Sequence, residues 1–485
     1  MTLTSALNAA MTGLRAASRS SEIISSNIAN ASTEGYGRRT LETSANTNQF
    51  LSGVRINGVV RHVDAQVLAD RRLADAEFGY RSETTTFLSR IEDLIGTPDS
   101  AGSLSARLSD FNSAIITAAS RPDAPERLNS AALAARDLAN TLNSAAEGVQ
   151  NARTQADRNI DAQINRLNDA LASVRDVNTQ IVAAFSQRKD TAALQDQRQV
   201  LIDEISEIVP VRVVERDFGA VALFSTGGAI LLDGTPADIE FDPSNVVTPY
   251  MAIEDGTLSG VTINGFSVST SSLTGKLRGG TLGAQFEIRD ELGPAAQSQL
   301  DAIARDLIER FEDPGVDPTL APGQPGLFTD QGTVLDPLAE EGLASRIALN
   351  AVVDPAQTGE TWRLRDGLGA AAQGDAGDAT ILNALSDALT TTRMPASGSF
   401  GVGAFSALDL TSSYASQLGT DRLRSDQLLS FASAQLNELR QMELTDGVDS
   451  DVEIQRLLIV EQAYAANARV VQTVDEMMET LLRIT

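Results

Sequence analysis

The chain has no cysteine, a single histidine and a single tryptophan. Without cysteine there can be no disulfide, no thiolate metal site and no cysteine nucleophile. The histidine lies in Val60-Arg61-His62-Val63. Alone it cannot build the usual zinc sites, or a Ser-His-Asp triad without support elsewhere, and it reads as a plain strand or strand-end residue. Aromatic residues make up only 4% of the chain. With abundant alanine, this fits helices packed at short distance better than a large β-sandwich core. Basic residues number 38 against 65 acidic ones, a net charge of −27. Such a field repels phosphate backbones and argues against a nucleic-acid partner. It also keeps a monomer soluble until a specific contact overcomes the repulsion. No apolar run approaches the ~20 residues of a membrane span, so no membrane partner is expected. The first thirty residues are amphipathic, with Arg15, Arg19 and Glu22 among them, and lack the successive regions of a cleaved signal.

Catalytic motifs are equally scarce. Walker A, HExxH and GxSxG patterns are missing. Gly367-Leu368-Gly369-Ala370-Ala371-Ala372 fits a loose dinucleotide pattern after an expected strand at Thr361–Leu364, but its flanks are not a βαβ unit. Asp446, Asp449, Asp451 and Glu453 miss the spacing of an EF-hand loop and read as helix-start carboxylates. The chain is therefore expected to be no enzyme, with no catalytic residue, cofactor or metal.

What the sequence does contain is a pattern at its two ends. Leu3, Leu7, Ala10, Leu14, Ala17, Ser21, Ile24 and Ile28 alternate in steps of four and three. Leu457, Val460, Tyr464, Asn467, Val471, Val474, Met478 and Leu481 do the same in steps of three and four. Both are narrow heptad seams suited to coiled-coil partners. The second helix opens on a capping-box pattern, Ser450 to Glu453, after a turn containing Gly447. The two seams can bury each other only if the termini meet; otherwise each helix packs on its own neighbours. Charge favours the meeting weakly: residues 1–62 carry six Arg against three Glu, and the last forty carry eight acids against three Arg.

Between the ends the period is helical. Phe87 to Ile95, Leu104 to Ile115, a long stretch through Ile160 and Ile181, and Leu194 to Ile208 mark successive helices, the last stopped by Pro210. Asn178 and Asn467 interrupt apolar seams, and each is either a buried register-setting residue or an exposed edge. From 211 the period becomes two, and Asn264-Gly265 between Val261–Ile263 and Phe266–Val268 reads as a hairpin turn. Asn57-Gly58 gives a second hairpin signal. Helical spacing returns at 284–311, near 380–390 and at 408–442, around a Pro/Gly-rich loop at 313–326 and a Gly/Ser-rich stretch at 397–404. The expected fold is mainly α with an inserted β domain. Its parts are a terminal coiled-coil domain (1–45 and 443–485), a helical trunk with a short hairpin (46–210 and 282–442) and a small outer β domain (211–281).

Ser25 to Arg39, SSNIANASTEGYGRR, follows the first heptad helix directly. Asn27, Ile28, Ala29 and Asn30 with Gly35-Tyr36 resemble the signature of the rod, hook and hook-associated axial proteins of the bacterial flagellum. Physically, Asn, Ser and Gly let the chain leave the helix, and Tyr36 anchors the turn. The closing stretch GVDSDVEIQRLLIVEQAYAANARVVQTVDEMMETLL resembles the same family's last helix. The segments at 53–64, 194–214 and 278–290 narrow the resemblance to the hook-associated branch. The hook protein would carry a larger β-rich middle, and flagellin would lack the Asn-Ile-Ala-Asn element. Three further readings compete: a rod protein, a secreted adhesin or enzyme on a flagellar frame, and a cytoplasmic coiled-coil scaffold. The region between about 315 and 400 is short for the larger outer domains of some members.

The resemblance implies a structural subunit that self-assembles into a tubular zone joining hook to filament, outside the cell and exported through the flagellar type III channel. Its partners would be copies of itself, the hook protein, the second hook–filament junction protein and an export chaperone on the C-terminal helix. The assembly residues would be Leu7, Leu14, Ile24, Asn27, Ile28, Asn30, Gly35, Tyr36, Leu457, Tyr464, Val471, Met478 and Leu481.

Overall fold

The structure is a computed structural model that describes residues 3–48, 51–97, 99–357, 359–445 and 447–484. The chain opens with α1 (Leu3–Ala29), the hairpin strands β1 (Arg38–Asn48) and β2 (Leu51–His62), and α2 (Ala65–Ile95). There follow α3 (Leu104–Ser120), α4 (Pro125–Ser186) and α5 (Ala192–Ile208). The β insertion holds β3 (Val211–Glu215), β4 (Val221–Ser225), β5 (Ile230–Asp233), β6 (Thr235–Pro236), β7 (Ile239–Glu240), β8 (Val261–Ile263) and β9 (Phe266–Val268). The trunk resumes with α6 (Gly280–Glu287), one π turn (Ile288–Leu292) and α7 (Gly293–Phe311). A small pair, β10 (Phe328–Asp330) and β11 (Ile347–Leu349), precedes α8 (Arg363–Asp366), α9 (Thr380–Thr390), α10 (Ala407–Thr445) and α11 (Ser450–Ile484).

The spine is α4, 62 residues starting on Pro125, whose fixed φ suits a first helical position. Its first half, Leu128 to Ala156, packs with α2, α3, α7, α9 and α10 around the mutually tilted rings of Phe111, Phe311 and Phe328. Its second half, Ile160 to Val174, packs with α5 and the inner faces of the β insertion. Between the two cores lies a fully buried ion pair, Asp157–Arg289 at 2.8 Å. The π turn carries Arg289 here, its guanidinium near the rings of Phe241 and Phe286, while Asp157 accepts the backbone N–H of Ser244 at 2.7 Å. Both charges are thereby paired and hydrogen-bonded, the condition for burying them at all.

The insertion forms two antiparallel sheets, β3-β4-β5-β6 and β7-β8-β9. Asn264 and Gly265 turn β8 into β9 with φ of 51° and 78°, the paired positive values of a tight hairpin turn. Asn178 is buried, and its amide pairs with both backbone groups of Val221 on β4, so it ties helix to sheet rather than helix to helix.

Four local expectations change. Asn57-Gly58 is no turn: Glu42 faces Gly58 while Thr43 faces Ile56, so Asn57 is the extra residue of a β-bulge inside β2. Thr361–Leu364 is not a strand but a turn entering α8, which removes the strand-to-helix context a phosphate-binding glycine loop requires. Helix α2 begins at Ala65, twenty-two residues before Phe87, because its first half buries Arg71 and Arg72 beside only Leu68, Ala74 and Ala76. Finally, β1 runs across residue 45, and β2 lies along α1: Thr12 Oγ1 accepts Val54 N–H at 3.2 Å, and a Cβ on Gly53 would stand 2.3 Å from that oxygen.

Candidate functional site

The two ends of the chain meet. Helix α11 packs antiparallel along α1, fixed by two contacts fourteen residues apart on each helix: Asn27 with Glu453, and Gly13 with Asn467. In both pairs the residue numbers add to 480 (27 + 453 and 13 + 467), so the register is constant between them.

Asn27 is the hub of the joint. It has no exposed surface and uses its full hydrogen-bonding capacity. Its Nδ2 donates to Arg39 O at 2.9 Å and to Glu453 Oε2 at 3.0 Å. Its Oδ1 accepts from Tyr36 Oη at 2.9 Å and from Arg39 N–H at 3.1 Å. One side chain thus holds the end of α1, the start of β1 and the start of α11. Asn30 donates back to Ser26 O at 2.8 Å, closing the helix end. Gly35 follows at φ 75°, where a Cβ would lie 2.6 Å from Val200 on α5. The Arg39 guanidinium sits 4.7 Å above the Tyr36 ring.

The turned segment is bolted to the trunk by Asp196 on α5. Its carboxylate accepts Gly37 N–H at 3.0 Å and ion-pairs with Arg61 at 2.6 Å and with Arg39. One layer below, Asp203 on α5 pairs with Arg71 and Arg72 of α2, and Arg71 reaches Glu443 at the end of α10, all at 2.6 Å. Burial pushes the Glu443 carboxyl above its ordinary range, opposed by Arg71.

Glu453 does not cap its helix. Asp449 does, accepting the N–H groups of Asp451 at 2.9 Å and Val452 at 3.1 Å. Glu453 is instead 1% exposed inside the seam, held by Asn27, by Arg456 at 2.6 Å and by Arg38 at 3.9 Å. The sequence did hold a signal for this, because Glu453 continues the Leu457–Val460 stripe one step upstream. Asp446 lies outside the described residues. Of the N-terminal arginines, Arg39 and Arg61 pair with Asp196 of the trunk and Arg19 with Glu22 of its own helix, while Arg38 reaches α11, at 3.9 Å from Glu453. Asn467 is half-buried and donates to its own helix at Ala463 O, its bulk received by the space at Gly13.

The other seam residues are less enclosed. Ile24 is buried, and Leu7, Leu14, Ile28, Leu457 and Val471 are half-buried. Tyr464, Met478 and Leu481 are about half exposed, at 50%, 46% and 50%. Among the described residues, only Glu453 and Val474 of α11 are buried. A groove of about 550 Å³ stays open between the helices, lined by Ala17, Ser21, Val460 and Tyr464 among others. Exposed apolar side chains continue around α11 at Ile454, Leu458 and Ile459. No cluster of metal-binding side chains occurs among the described residues, and the His62 ring meets the Thr40 hydroxyl at 2.6 Å. No helix among them is long and apolar enough to cross a membrane.

Three family models match in chain order. Residues 7–36 match the flagella basal body rod protein, residues 88–324 the helical domain of the flagellar hook-associated protein FlgK, and residues 445–484 the C-terminal part of the flagellar basal body rod FlgEFG proteins. The class is therefore that of structural axial proteins of the bacterial flagellum. Relatives named flagellar hook-associated protein 1 include that of Bacillus subtilis, 23% identical over 94% of this chain and 93% of its own length. The Escherichia coli relative is 26% identical over 57% of this chain, which spans 52% of that relative's length. The corresponding figures for Salmonella typhimurium are 27%, 62% and 56%. The helical-domain match covers residues 88–324, and the chain is similar to flagellar hook-associated protein 1 along most of its length. A solved structure, the flagellar hook junction protein FlgK from Burkholderia pseudomallei, aligns at a TM-score of 0.44 and 19% identity, over 54% of this chain and 46% of that one.

Proposed function

We propose that the chain is a structural, non-enzymatic subunit that self-assembles into a tubular zone joining the flagellar hook to the filament. The observation that carries this is the unfinished seam: trunk cores are closed, yet α11 buries only two of its described side chains. A helix gains most of its stability from packing its apolar face, so α11 is left to be completed from outside. Neighbouring copies would supply the missing surface by heterologous contacts, and ordering the ends would accompany docking. On this reading Leu7, Leu14, Ile28, Leu457, Tyr464, Val471, Met478 and Leu481 line the assembly contacts, while Ile24, Asn27, Asn30, Gly35 and Tyr36 build the joint that presents them.

The same reading divides the chain into terminal, trunk and outer β parts and sets it outside the cell. The hook protein would lie on one side and the second junction protein on the other. An export chaperone would cover the exposed face of α11 beforehand. The test is genetic: cells whose only copy lacks residues 450–485 should export a folded trunk and build hooks without filaments. Normal filaments would overturn the proposal.

A further inference from the structure

Heptad seams have a weakness that the terminal pair shares. Leu7, Leu14, Ser21 and Ile28 repeat every seven residues, as do Leu457, Tyr464, Val471 and Met478. Sliding α11 by seven residues along α1 brings apolar residues against apolar residues again, so hydrophobic matching alone leaves the register degenerate. Such a slip would displace every apolar side chain presented to the outside by about 10 Å.

Two features break the degeneracy. Glu453 sits in phase with the seam and is buried, and only in the observed register does it meet Asn27 and Arg38; Arg456 travels with it on the same helix. A slip one way sets Glu453 against Ser20, and a slip the other way carries it beyond the end of α1 at Ala29. Asn27 would then keep three of its four hydrogen bonds and lose the carboxylate, while the carboxylate would lose its amide donor. The second feature is steric. Asn467 sits against Gly13, 2.9 Å from where a Cβ would stand; Ala6 or Ser20, each with a Cβ, would replace it in the slipped registers.

We infer that the Asn27–Glu453 pair is a register key, which makes α11 dock on α1 at one position only and only against a completed 27–39 turn. Its contribution is specificity: a carboxylate left without its partner penalises each wrong register, whereas an apolar residue in its place would accept them all. The inference concerns pairing within one chain and is read independently of assembly.

The cysteine-free sequence allows a direct test on the full-length chain. Gly13→Cys with Asn467→Cys reports the observed register; Ala6→Cys or Ser20→Cys with Asn467→Cys reports the two slips. These reporters remove the steric feature and leave the polar pair to act alone. After diamide oxidation, intramolecular disulfides are quantified by peptide mass. The observed-register disulfide should exceed either slipped one by about tenfold or more. Glu453→Met should raise the slipped disulfides about tenfold, Glu453→Ala should do the same without added bulk, and Glu453→Gln, which still accepts from Asn27, should restore the preference. An unchanged preference in both Glu453→Met and Glu453→Ala would overturn the inference, as would failure of all three reporters to close in the parent.

Discussion

Asn27 and Glu453 are 426 positions apart in the chain and joined by a 3.0 Å hydrogen bond in the interior of the joint. Through Asn27 the bond reaches the Tyr36 hydroxyl and the Arg39 backbone, so the N-terminal signature and the C-terminal helix form one polar unit. Around it the apolar seam stays partly open, which separates the task of locating α11 from the task of completing it.

Replacing Asn27 tests the hub. Asn27→Ala takes a partner from both Arg39 backbone groups and Glu453 Oε2 and leaves the Tyr36 hydroxyl only Ser26 at 3.3 Å, and should cost on the order of 3 kcal/mol in urea unfolding. Asn27→Asp keeps the acceptor but sets two carboxylates against each other. Mutual repulsion raises the folded pKa of that pair, so the lost stability should return as pH falls through the raised value. A pH-independent loss in Asn27→Asp would contradict the assignment.

Gly35 is required for two separable reasons, its φ of 75° and the nearness of Val200. Gly35→Ala should destabilise by about 1–3 kcal/mol, and adding Val200→Ala should recover only the steric part, leaving about 1 kcal/mol. Thermal denaturation of the two variants decides this; full recovery would remove the backbone argument.

The ion pair between the two trunk cores should behave as buried pairs do. Arg289→Met alone strands Asp157 and should cost about 3–5 kcal/mol. Asp157→Leu together with Arg289→Met should recover most of that loss, while loosening the 244–259 segment that the pair holds by its backbone. Limited proteolysis of that segment is the readout.

Asp301 gives the trunk a pH dependence. Burial pushes its carboxyl up to about 6, against the opposing N–H donors of Ala344 and Gly342 and the amide of Gln297. A folded value above the unfolded one of 3.8 means that the protonated group favours folding. Its contribution is complete below pH 3.8 and is lost as pH rises through 6, by on the order of 3 kcal/mol. Asp301→Asn should flatten the stability profile between those pH values; an unchanged slope would contradict it.

The terminal seams were legible because a seven-residue repeat of apolar side chains survives whatever the trunk does. The helices around Phe111 and Ile160 were legible for the same reason, and the Asn264-Gly265 turn because only such residues take its φ values readily. What the sequence concealed is polar and long-range. Arg71 and Arg72 are buried by ion pairs with Asp203, 131 positions away in the case of Arg72, so the first half of α2 carries no apolar period. Glu453 has the local look of a capping residue; its spacing continues the seam, but the partner that lets a carboxylate be buried there, Asn27, lies 426 positions away. Asn57-Gly58 suits a turn and a bulge equally well, and the pairing of β1 decides between them.

The most direct measurement of the unfinished seam is amide hydrogen exchange along α11, in the free chain and in the same chain incorporated at the ends of isolated hooks. In the free chain, amides from Leu457 to Met478 should exchange far faster than those of α4, and incorporation should protect them about 100-fold or more. Equal protection of α11 and α4 in the free chain, unaltered by incorporation, would show that the single chain already completes the seam and would contradict assembly through it.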